Sequence, residues 1–476
     1  MKTYQDLLNV VEDEKLLKSF LISAIREYES SEIYINADIS EDYYNQKNRT
    51  ITEYEKILHT LTGQSVADTY SSNHKLPSNF FKKFIMQENQ YLLGNGVFFT
   101  KEDTKDKLST KRYEFDSQVQ KVGKRALKHG VAYGFYNVDH IEVFTALEFV
   151  PLVDEEDGAI KAGIRYWQIA SDKPLRMTLY ELDGYTEYIK RPKEENVEVL
   201  HEKQAYKIAV KANKVGDVIY NGENYEGFPI VPLWGEEDKG CLITRLRPSI
   251  DCYDLIKSGF ANDIDDASVI YWIVQNAGGM DEVDLAKFLN QIKTVHAATM
   301  EEDGAKAEMH TQDVPVTARS TMLEILKRDM IDDSMSLDTN AIANGNTVAT
   351  AIRAAYEPLN NKTDEYEYCI IEFIQKILEL AGIDDKPSFK RSTIINQSEE
   401  TQMVLSAAQY LDKETVLKHL PFISTDEVKT ILDNMQNEEM ERFNLQQEQM
   451  QALQSMKQGN EGEEPKEEPK EEGLNE

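Results

Sequence analysis

The sequence is poor in cysteine and in cationic side chains, and each shortage excludes a class of protein. Its three cysteines, Cys241, Cys252 and Cys369, are too few and too widely separated for a disulfide framework, and they form no metal-ligand pattern. Lysine and arginine total 53 against 85 aspartate and glutamate residues, so the formal net charge is −32. A protein that holds nucleic acid tightly by neutralising phosphates should instead be basic.

Long apolar runs are also missing. No stretch approaches the roughly 18 to 20 apolar residues that a membrane span requires. The charged N-terminal segment MKTYQDLLNVVEDEKLLKSF is predicted to be helical and is not typical of a signal peptide. Since 41% of the 476 residues are hydrophobic, the chain can form several domains with sizeable cores. We therefore expect a soluble protein of a reducing compartment.

The acidic excess is not confined to the C-terminal tail. Residues 459–476 hold eight glutamates and two lysines, a net −6, so −26 of the total −32 belongs to the rest of the chain. The composition of this tail predicts disorder.

Hydrophobic periodicity and turn residues divide the first half of the chain into a helical part and a strand-rich part. Helices are predicted at Tyr4–Ser30, at Phe80–Gly94 after Pro77, and at Asp116–His129, which Gly130 closes. From residue 130 to 232, short β-branched and aromatic runs alternate with turn signals, which predicts a mostly antiparallel sheet.

A long helix is predicted to begin at Pro248, with an apolar stripe and a second surface crowded with aspartates. We expect this acidic surface to be solvated. A compact α/β insert follows at residues 268–315. It comprises a strand at VIYWIVQ, a short helix at 281–292 and a small hairpin at 294–316. A further helix is predicted at 317–336.

The segment after this helix is small and polar, with the sequence DTNAIANGNT at residues 338–347. A second periodic stretch then runs from Val348 to Gly382 with Pro358 inside it. Because an internal proline removes one backbone hydrogen bond and clashes with the preceding turn, we expect a kink near residues 356–357. On this segment alone, the two interpretations that remain are an ordinary helical hairpin and a loop that makes a moving mechanical contact.

Signatures of an enzyme are weak. The chain has no Walker A motif, no HExxH and no GxSxG nucleophile elbow. The aspartates at 263, 265 and 266 suggest a Mg²⁺-dependent nuclease or processing enzyme as an alternative, but residues two or three apart on a helix do not converge on one ion. We expect no catalytic residue, no cofactor and no bound metal.

Several long strings in this chain resemble the portal proteins of tailed bacteriophages, in the family typical of long-tailed phages that infect Gram-positive hosts. The resemblance is carried by YYNQKNRTI (43–51), NHKLPSNFFKKFIMQENQYLLGNG (73–96), EGFPIVPLWGEE (226–237), RLRPSIDCYDLIKSGFANDIDDASVIYWIVQNAGGMDEVDLAKFL (245–289), GNTVATAIRAAYEPL (345–359) and QMVLSAAQYLDKETVLKHLPFISTDEV (402–428).

The resemblance implies an α+β, mainly helical portal-type subunit with wing, stem, clip and crown, assembling into a ring. The implied wing covers residues 1–235, helices plus antiparallel sheet, together with a kinked helix at 348–396. The stem consists of a first helix at 236–267 and a second at 316–337, with the clip at 268–315 between them. The tunnel loop at 338–347, the crown at 397–457 and the disordered acidic tail at 458–476 complete the assignment.

The resemblance also implies function. The ring, usually a dodecamer, is the DNA channel at one capsid vertex, used in genome packaging with the terminase motor, in head–tail joining and in ejection. Its implied partners are other copies of the chain, terminase, head–tail connector proteins, capsid and scaffolding proteins, and double-stranded DNA that passes without tight binding; no membrane is involved. The implied location is the virion, with the host cytoplasm during assembly.

Two sets of residues are predicted to carry this function. The DNA-channel loop residues are Asp338, Thr339, Asn340, Asn344, Asn346 and Thr347. Of these, Asn340, Asn344, Asn346 and Thr347 have neutral side chains that can form weak phosphate contacts. The subunit-contact candidates are Arg245, Arg247, Lys327, Arg328 and Arg353, cations that can pair with acidic faces of neighbouring copies. A ring lined by Asp and Glu would keep DNA mobile. A filament-forming or scaffold protein is the third alternative, for which the strand-rich insert is unneeded.

Overall fold

The computed structural model describes residues 1–59, 64–68, 71–101, 103–194, 196–212, 218–267, 271–275, 283, 286–287, 306–310, 314–339, 349–392, 397–420, 423 and 425–459. The chain divides into two compact units, Met1–Ser392 and Thr393–Glu476. No described helix is long and apolar enough to cross a membrane. The fold is a mixture of helices and antiparallel sheets, in agreement with the predicted α+β class.

Seven helices occupy the described part of the chain before residue 130: α1 Tyr4–Leu8, α2 Glu14–Glu29, α3 Glu32–Tyr44, α4 Arg49–Glu53, α5 Phe80–Leu93, α6 Thr104–Lys107 and α7 Phe115–His129. The predictions of α5 and α7 are confirmed, with Gly94 and Gly130 as their C-caps. Gly130 takes φ +85°, a conformation that glycine adopts without steric cost.

The prediction of one helix over Tyr4–Ser30 is wrong. The helix is interrupted before Glu14, because the Asp13 side chain accepts the free N–H groups of Lys15 and Leu16 and so starts a new helix. No helix is predicted for the polar residues that begin at Asp38, yet they lie inside α3.

The predicted antiparallel sheet region is confirmed. Strands β6 Phe149–Val153, β7 Ile160–Trp167, β8 Leu175–Glu181, β9 Gly184–Lys190 and β10 Glu198–Gln204 form one five-stranded meander. Strands β4 Val131–Asn137, β5 His140–Thr145 and β13 Ile230–Trp234 form a three-stranded sheet with β4 in the centre. The remaining pairs are β1 Ile57–His59 with β2 Ser65–Ala67, β3 Val97–Phe98 with β16 Ser388–Phe389, and β11 Lys207–Ala212 with β12 Val218–Glu223.

Two apolar cores hold the first unit together. Helix α2 packs on one face of the five-stranded sheet, where Phe20 and Leu21 meet Ile164 and Leu179. The larger core joins the three-stranded sheet to α5, α7 and the long helix α10 (Ala349–Ala381), which contributes residues such as Phe373. Helix α10 continues through Pro358, as predicted.

Helices α8 (Leu242–Ala267) and α9 (Val316–Asp333) form an antiparallel pair. Arg319 near the start of α9 forms an ion pair with Asp263 near the end of α8, while the other ends of both helices enter the larger core. The predicted start of α8 at Pro248 is wrong, since the helix begins at Leu242. Pro248 lies in the second turn of α8, so the helix can begin one turn earlier, at Leu242.

The insert between these helices contains β14 (Tyr271–Gln275) and β15 (Lys306–His310), which pair antiparallel. The strand predicted at VIYWIVQ is therefore confirmed. Strand β15 lies within the predicted local hairpin and pairs with β14. The other predicted strand of that hairpin and most of the predicted short helix lie outside the described residues, so the hairpin stays a prediction.

The second unit is helical in its described part, as predicted. It contains α11 Gln397–Ala407, α12 Lys413–His419 and α13 Thr425–Gly459. The acidic tail from residue 460 lies outside the described residues.

Candidate functional site

Helix α9 ends in a tight turn that directs the chain into the predicted loop. The Ser336 N–H donates to Ile331 O at 3.0 Å and the Met335 N–H donates to Asp332 O at 3.0 Å. These two bonds satisfy the last carbonyls of the helix in a Schellman arrangement, and they place Met335 at φ +51°. Glycine is the usual residue there, so this end of α9 carries a left-handed residue with a side chain.

The residue just before the loop is anchored in a small apolar cluster. Leu337 is 4% exposed and packs with Tyr91, Tyr356 and Leu359, while its carbonyl accepts from Gln87 Nε2 at 3.2 Å. The rings of Tyr91 and Tyr356 are stacked at 5.6 Å. Because Tyr356 lies in α10, the helix that follows the loop, one cluster holds the chain on both sides of residues 338–348.

Only part of the predicted channel loop is described. Asp338 is half-buried and Thr339 is exposed at its start. Asn340, Asn344, Asn346 and Thr347 lie outside the described residues, so their contact with DNA stays a prediction.

The polar face of α8 binds an extended segment of the same chain, residues 72–78, which we call the strap. The N–H groups of His74, Leu76 and Ser78 donate to side-chain oxygens of α8 at 2.6, 3.0 and 2.9 Å. The acceptors are Asn262, Ser258 and Asp254, in that order along the helix.

The spacing of these contacts explains why they form. The acceptors recur every four residues, a rise of about 6 Å along an α-helix. The donors recur every two residues, a rise of about 6.6 Å along an extended chain. The two repeats match closely over three contacts, so α8 binds the strap backbone much as a neighbouring strand would.

Two aspartates in the first half of α8 form hydrogen bonds with other parts of the chain. Asp254 is fully buried and also accepts from Asn48 Nδ2 at 2.8 Å. Burial raises the pKa of Asp254, and the hydrogen bonds from Asn48 and Ser78 oppose that rise. Asp251 accepts from Tyr43 Oη at 2.5 Å and from Thr50 Oγ1 at 2.8 Å. Asp251 and Asp254 are therefore bonded within the chain, whereas Asp265 of the same surface is exposed to solvent, as predicted.

The aspartates of the alternative nuclease site do not meet at a common point. Asp263 pairs with Arg319 of α9, whereas Asp265 accepts from Ser72 Oγ at 2.5 Å and lies 3.2 Å from His74 Nε2. The side chain of Asp266 lies outside the described residues. Among the side chains that are described, no group of three His, Cys, Asp or Glu could hold a metal ion. Nothing in this geometry favours the nuclease alternative.

The predicted subunit-contact cations fall into two groups. Arg245 pairs with Glu236, and the Nε of Arg247 lies 3.5 Å from Asp251, so both are already engaged within the chain. Their predicted position before the acidic helix is also wrong, since α8 includes them. Lys327, Arg328 and Arg353 lie on α9 and α10, and the described residues provide no ion-pair partner for them. Arg328 and Arg353 are exposed, whereas Lys327 is half-buried.

Helix α9 differs from α8 in how it presents its carboxylates. The carboxylates of α9 that reach solvent without an ion pair to any described residue are Glu324, Asp329, Asp332 and Asp333. The last three lie within two turns of the predicted loop. In the described part of the pair, α9 therefore carries four exposed carboxylates, whereas α8 carries one, Asp265.

A buried ion pair that the sequence analysis missed ties α10 to α5. Lys362 Nζ lies 2.6 Å from Glu88 Oε2, with the two side chains 9% and 2% exposed. Burial raises the pKa of Glu88, and the Lys362 ammonium opposes that rise. A signal was present, because Glu88 continues the apolar stripe of Phe81, Phe84 and Ile85 and is placed at a core position.

Known phage portal proteins are similar to this chain. The family model described as phage portal protein, SPP1 Gp6-like, matches residues 25–453. The portal protein of Clostridium phage phiCD119 is 26% identical over 238 residues, which cover 48% of this chain and about half (50%) of that protein's length. The portal protein of Bacillus phage SPP1 is 22% identical over 418 residues, covering 81% of this chain and 80% of that protein.

Solved structures show a weaker likeness. A chain from the neck of a native gene transfer agent particle, computed with C12 symmetry, has a TM-score of 0.40 at 9% identity, covering 73% of this chain and 90% of that chain. A chain from the virion of a native gene transfer agent particle has a TM-score of 0.41 at 10% identity, covering 74% and 89%.

Proposed function

This chain belongs to the SPP1 Gp6-like family of phage portal proteins, and we propose that it forms the ring-shaped DNA channel at one capsid vertex. DNA enters through the ring during packaging and leaves through it at ejection. The observation that carries the channel mechanism is the pair α8–α9, in which one helix is covered by the strap and the other exposes its carboxylates beside a loop anchored at both ends.

The parts of the subunit follow from this assignment. The wing comprises residues 1–235 and 348–396, and the clip comprises residues 268–315. The stem is the α8–α9 pair, within 236–267 and 316–337, and the crown is the helical region at 397–457. The loop at 338–347 is the part that touches moving DNA. The fixed ends of the loop limit its travel, because Leu337 and Tyr356 share one buried cluster.

The acidic balance suits transport. A channel that neutralised many phosphates would release counterions and retain DNA. Carboxylates at the rim of the loop repel DNA over about 10 Å at 0.1 M salt, which keeps the duplex centred and mobile. Since Asp251, Asp254 and Asp263 of α8 are engaged internally, most of this repulsion comes from Glu324, Asp329, Asp332 and Asp333 of α9.

The remaining partners are expectations of the same assignment. Other copies of the chain complete the ring, with twelve the usual number in such proteins, and terminase contacts the clip during packaging. Connector proteins then take its place at head–tail joining, and capsid and scaffolding proteins surround the wing. The protein assembles in the host cytoplasm and stays in the virion. It acts as a structural channel and needs no cofactor.

Two experiments test the proposal. Electron microscopy of the purified chain should show rings with a central hole, whereas monomers or filaments would contradict the ring. Replacing residues 338–347 by a Gly-Ser segment of equal length should shorten or abolish packaged DNA while rings still form. Normal packaging by that variant would remove the loop from the mechanism.

A further inference from the structure

The hairpin formed by β1 and β2 is exposed on both of its faces. Ile57 pairs with Ala67 across the hairpin, and Val66 precedes Ala67, so Ile57 and Val66 point to opposite faces. Ile57 is 59% exposed and Val66 is 50% exposed. In the part of the chain that the structure describes, neither face of this hairpin is covered.

An isolated two-stranded hairpin of this kind is at best marginally stable in water. The five-stranded sheet of the same unit shows the usual solution, since α2 covers one of its faces. Hairpin β1–β2 has two uncovered faces and also two open edges, because its sheet contains only these strands. An uncovered two-stranded hairpin with exposed apolar side chains would be stabilised by a partner that covers one of its faces.

The hairpin is nonetheless firmly attached to the stem. At its base, the Asp68 N–H donates to Lys56 O at 2.8 Å. On the C-terminal side, the strap runs from Ser72 along α8 by the contacts described above. On the N-terminal side, Thr50 of α4 donates a hydrogen bond to Asp251 of α8. Both ends of the hairpin segment are therefore fixed to α8, and the hairpin projects from the stem.

The surface of the α8–α9 pair offers matching chemistry. Apolar side chains remain exposed on both helices, at Leu255, Ile264, Met322 and Ile325, with exposures of 39%, 54%, 39% and 37%. Arg328, one turn beyond Ile325, is an exposed cation without an ion pair to a described residue. The segment that leads into β1 carries two exposed carboxylates, Glu53 and Glu55.

We propose that the β1–β2 hairpin of each copy docks against the α8–α9 pair of a second copy through the face that carries Val66. This inference rests on the proposed ring. A second copy is the occupant because the hairpin and its complementary surface lie on the same stem. Adjacent stems in a ring then bring one copy's hairpin to the next copy's helices. The contact is heterologous, so it closes only as a ring.

Cysteine cross-linking tests this contact in the full-length protein. Val66→Cys combined with Ile325→Cys should yield a ladder of covalent oligomers under mild oxidation. The matched control combines Val66→Cys with Ile169→Cys, because Ile169 is an 87% exposed apolar residue outside the stem. Each single variant controls for the native cysteines, of which Cys241 is buried and Cys252 and Cys369 are half-buried.

The outcomes separate this inference from the proposed function. A ladder specific to the 66–325 pair supports the docking. Rings in electron micrographs without a ladder above the 66–169 control would overturn the docking and leave the ring intact. A wild-type chain that forms no rings would contradict both.

A second variant removes the apolar contacts without cysteine chemistry. Ile57→Asp with Val66→Asp should raise the protein concentration needed for half-maximal ring assembly about tenfold or more, since the apolar contact at Val66 is replaced by a charge. Ile169→Asp should leave that concentration unchanged. The thermal unfolding of the monomeric double variant should match that of the wild type. Assembly of the double variant at the wild-type concentration would contradict the inference.

Discussion

Helices α8 and α9, which we propose as the stem, use their acidic residues in different ways. On α8, Asp251, Asp254 and Asp263 are bonded to other parts of the chain, and Asp254 is fully buried. On α9, Asp332 and Asp333 are exposed and pair with no described cation. The comparison teaches that a net charge of −32 does not indicate which carboxylates a passing polyanion meets. Internal bonds decide much of it, because they bury Asp254 and engage Asp251 and Asp263, so that Asp265 is the described aspartate of α8 that remains exposed.

The largest effect is expected at the buried ion pair between Glu88 and Lys362. Lys362→Met should lower the free energy of unfolding by about 3–5 kcal/mol, because it leaves a buried carboxylate without its counter-charge. The double change Glu88→Met with Lys362→Met should recover most of that loss. Urea denaturation of the three proteins measures both effects. Equal stability of the single and double variants would show that the pair is not buried as described.

Asp254 tests the attachment of the strap. Asp254→Ala should lower the free energy of unfolding by about 2–3 kcal/mol, since it leaves the Ser78 N–H and the Asn48 amide without their acceptor. Asp333→Ala on α9 is the matched control and should change the free energy of unfolding by less than about 0.5 kcal/mol. Chemical denaturation compares the two variants. If Asp254→Ala lowered the free energy of unfolding as little as the control, Asp254 would not anchor the strap.

The pH dependence of stability gives a finer reading of the same residue. Because burial raises the native pKa of Asp254 above its ordinary value, the folded state retains a proton that the unfolded state has lost. The contribution of this group to stability is therefore present below the ordinary pKa and is lost as pH rises through the native pKa. Subtracting the unfolding free energies of Asp254→Asn from those of the wild type, over a pH series, should show that decline. A difference that rises with pH would have the wrong sign.

A smaller effect is expected at the end of α9. Met335→Gly should raise the melting temperature by a few degrees, corresponding to about 1 kcal/mol, because glycine takes the φ of +51° without steric cost. Met335→Ala should give no such gain, since alanine keeps the β-carbon. Calorimetry of both variants distinguishes relief of backbone strain from loss of the partly exposed side chain.

Local sequence patterns were sufficient for elements that local chemistry determines. Helices α5 and α7 end at glycines, α10 contains a long apolar periodicity, and the strands between residues 130 and 232 alternate with turn residues. The break before Glu14 was missed because the hydrophobic period continues across it, while a single capping side chain ends the first helix.

The binding of the strap to α8 could not be predicted from local sequence patterns. Ser78 and Asp254 are separated by 176 residues, and the aspartates of α8 have the spacing of any solvated helix face. Only the fold brings an extended segment with free N–H groups to that face. The same limit applies to the channel residues. The family resemblance supplied the loop, but whether Asp332 or Asp254 faces solvent depends on long-range packing.

The most direct measurement of the central claim is the length of DNA packaged by particles whose portal carries Asp332→Lys and Asp333→Lys. Adding cations beside the loop should create phosphate contacts and retain the duplex, so packaging should stall and yield shortened DNA, with partial recovery at higher salt. The matched control, Glu12→Lys with Glu226→Lys, makes the same charge change at exposed positions outside the stem and should package normally. Full-length DNA from the α9 variant at low salt would contradict the claim that these carboxylates keep DNA mobile.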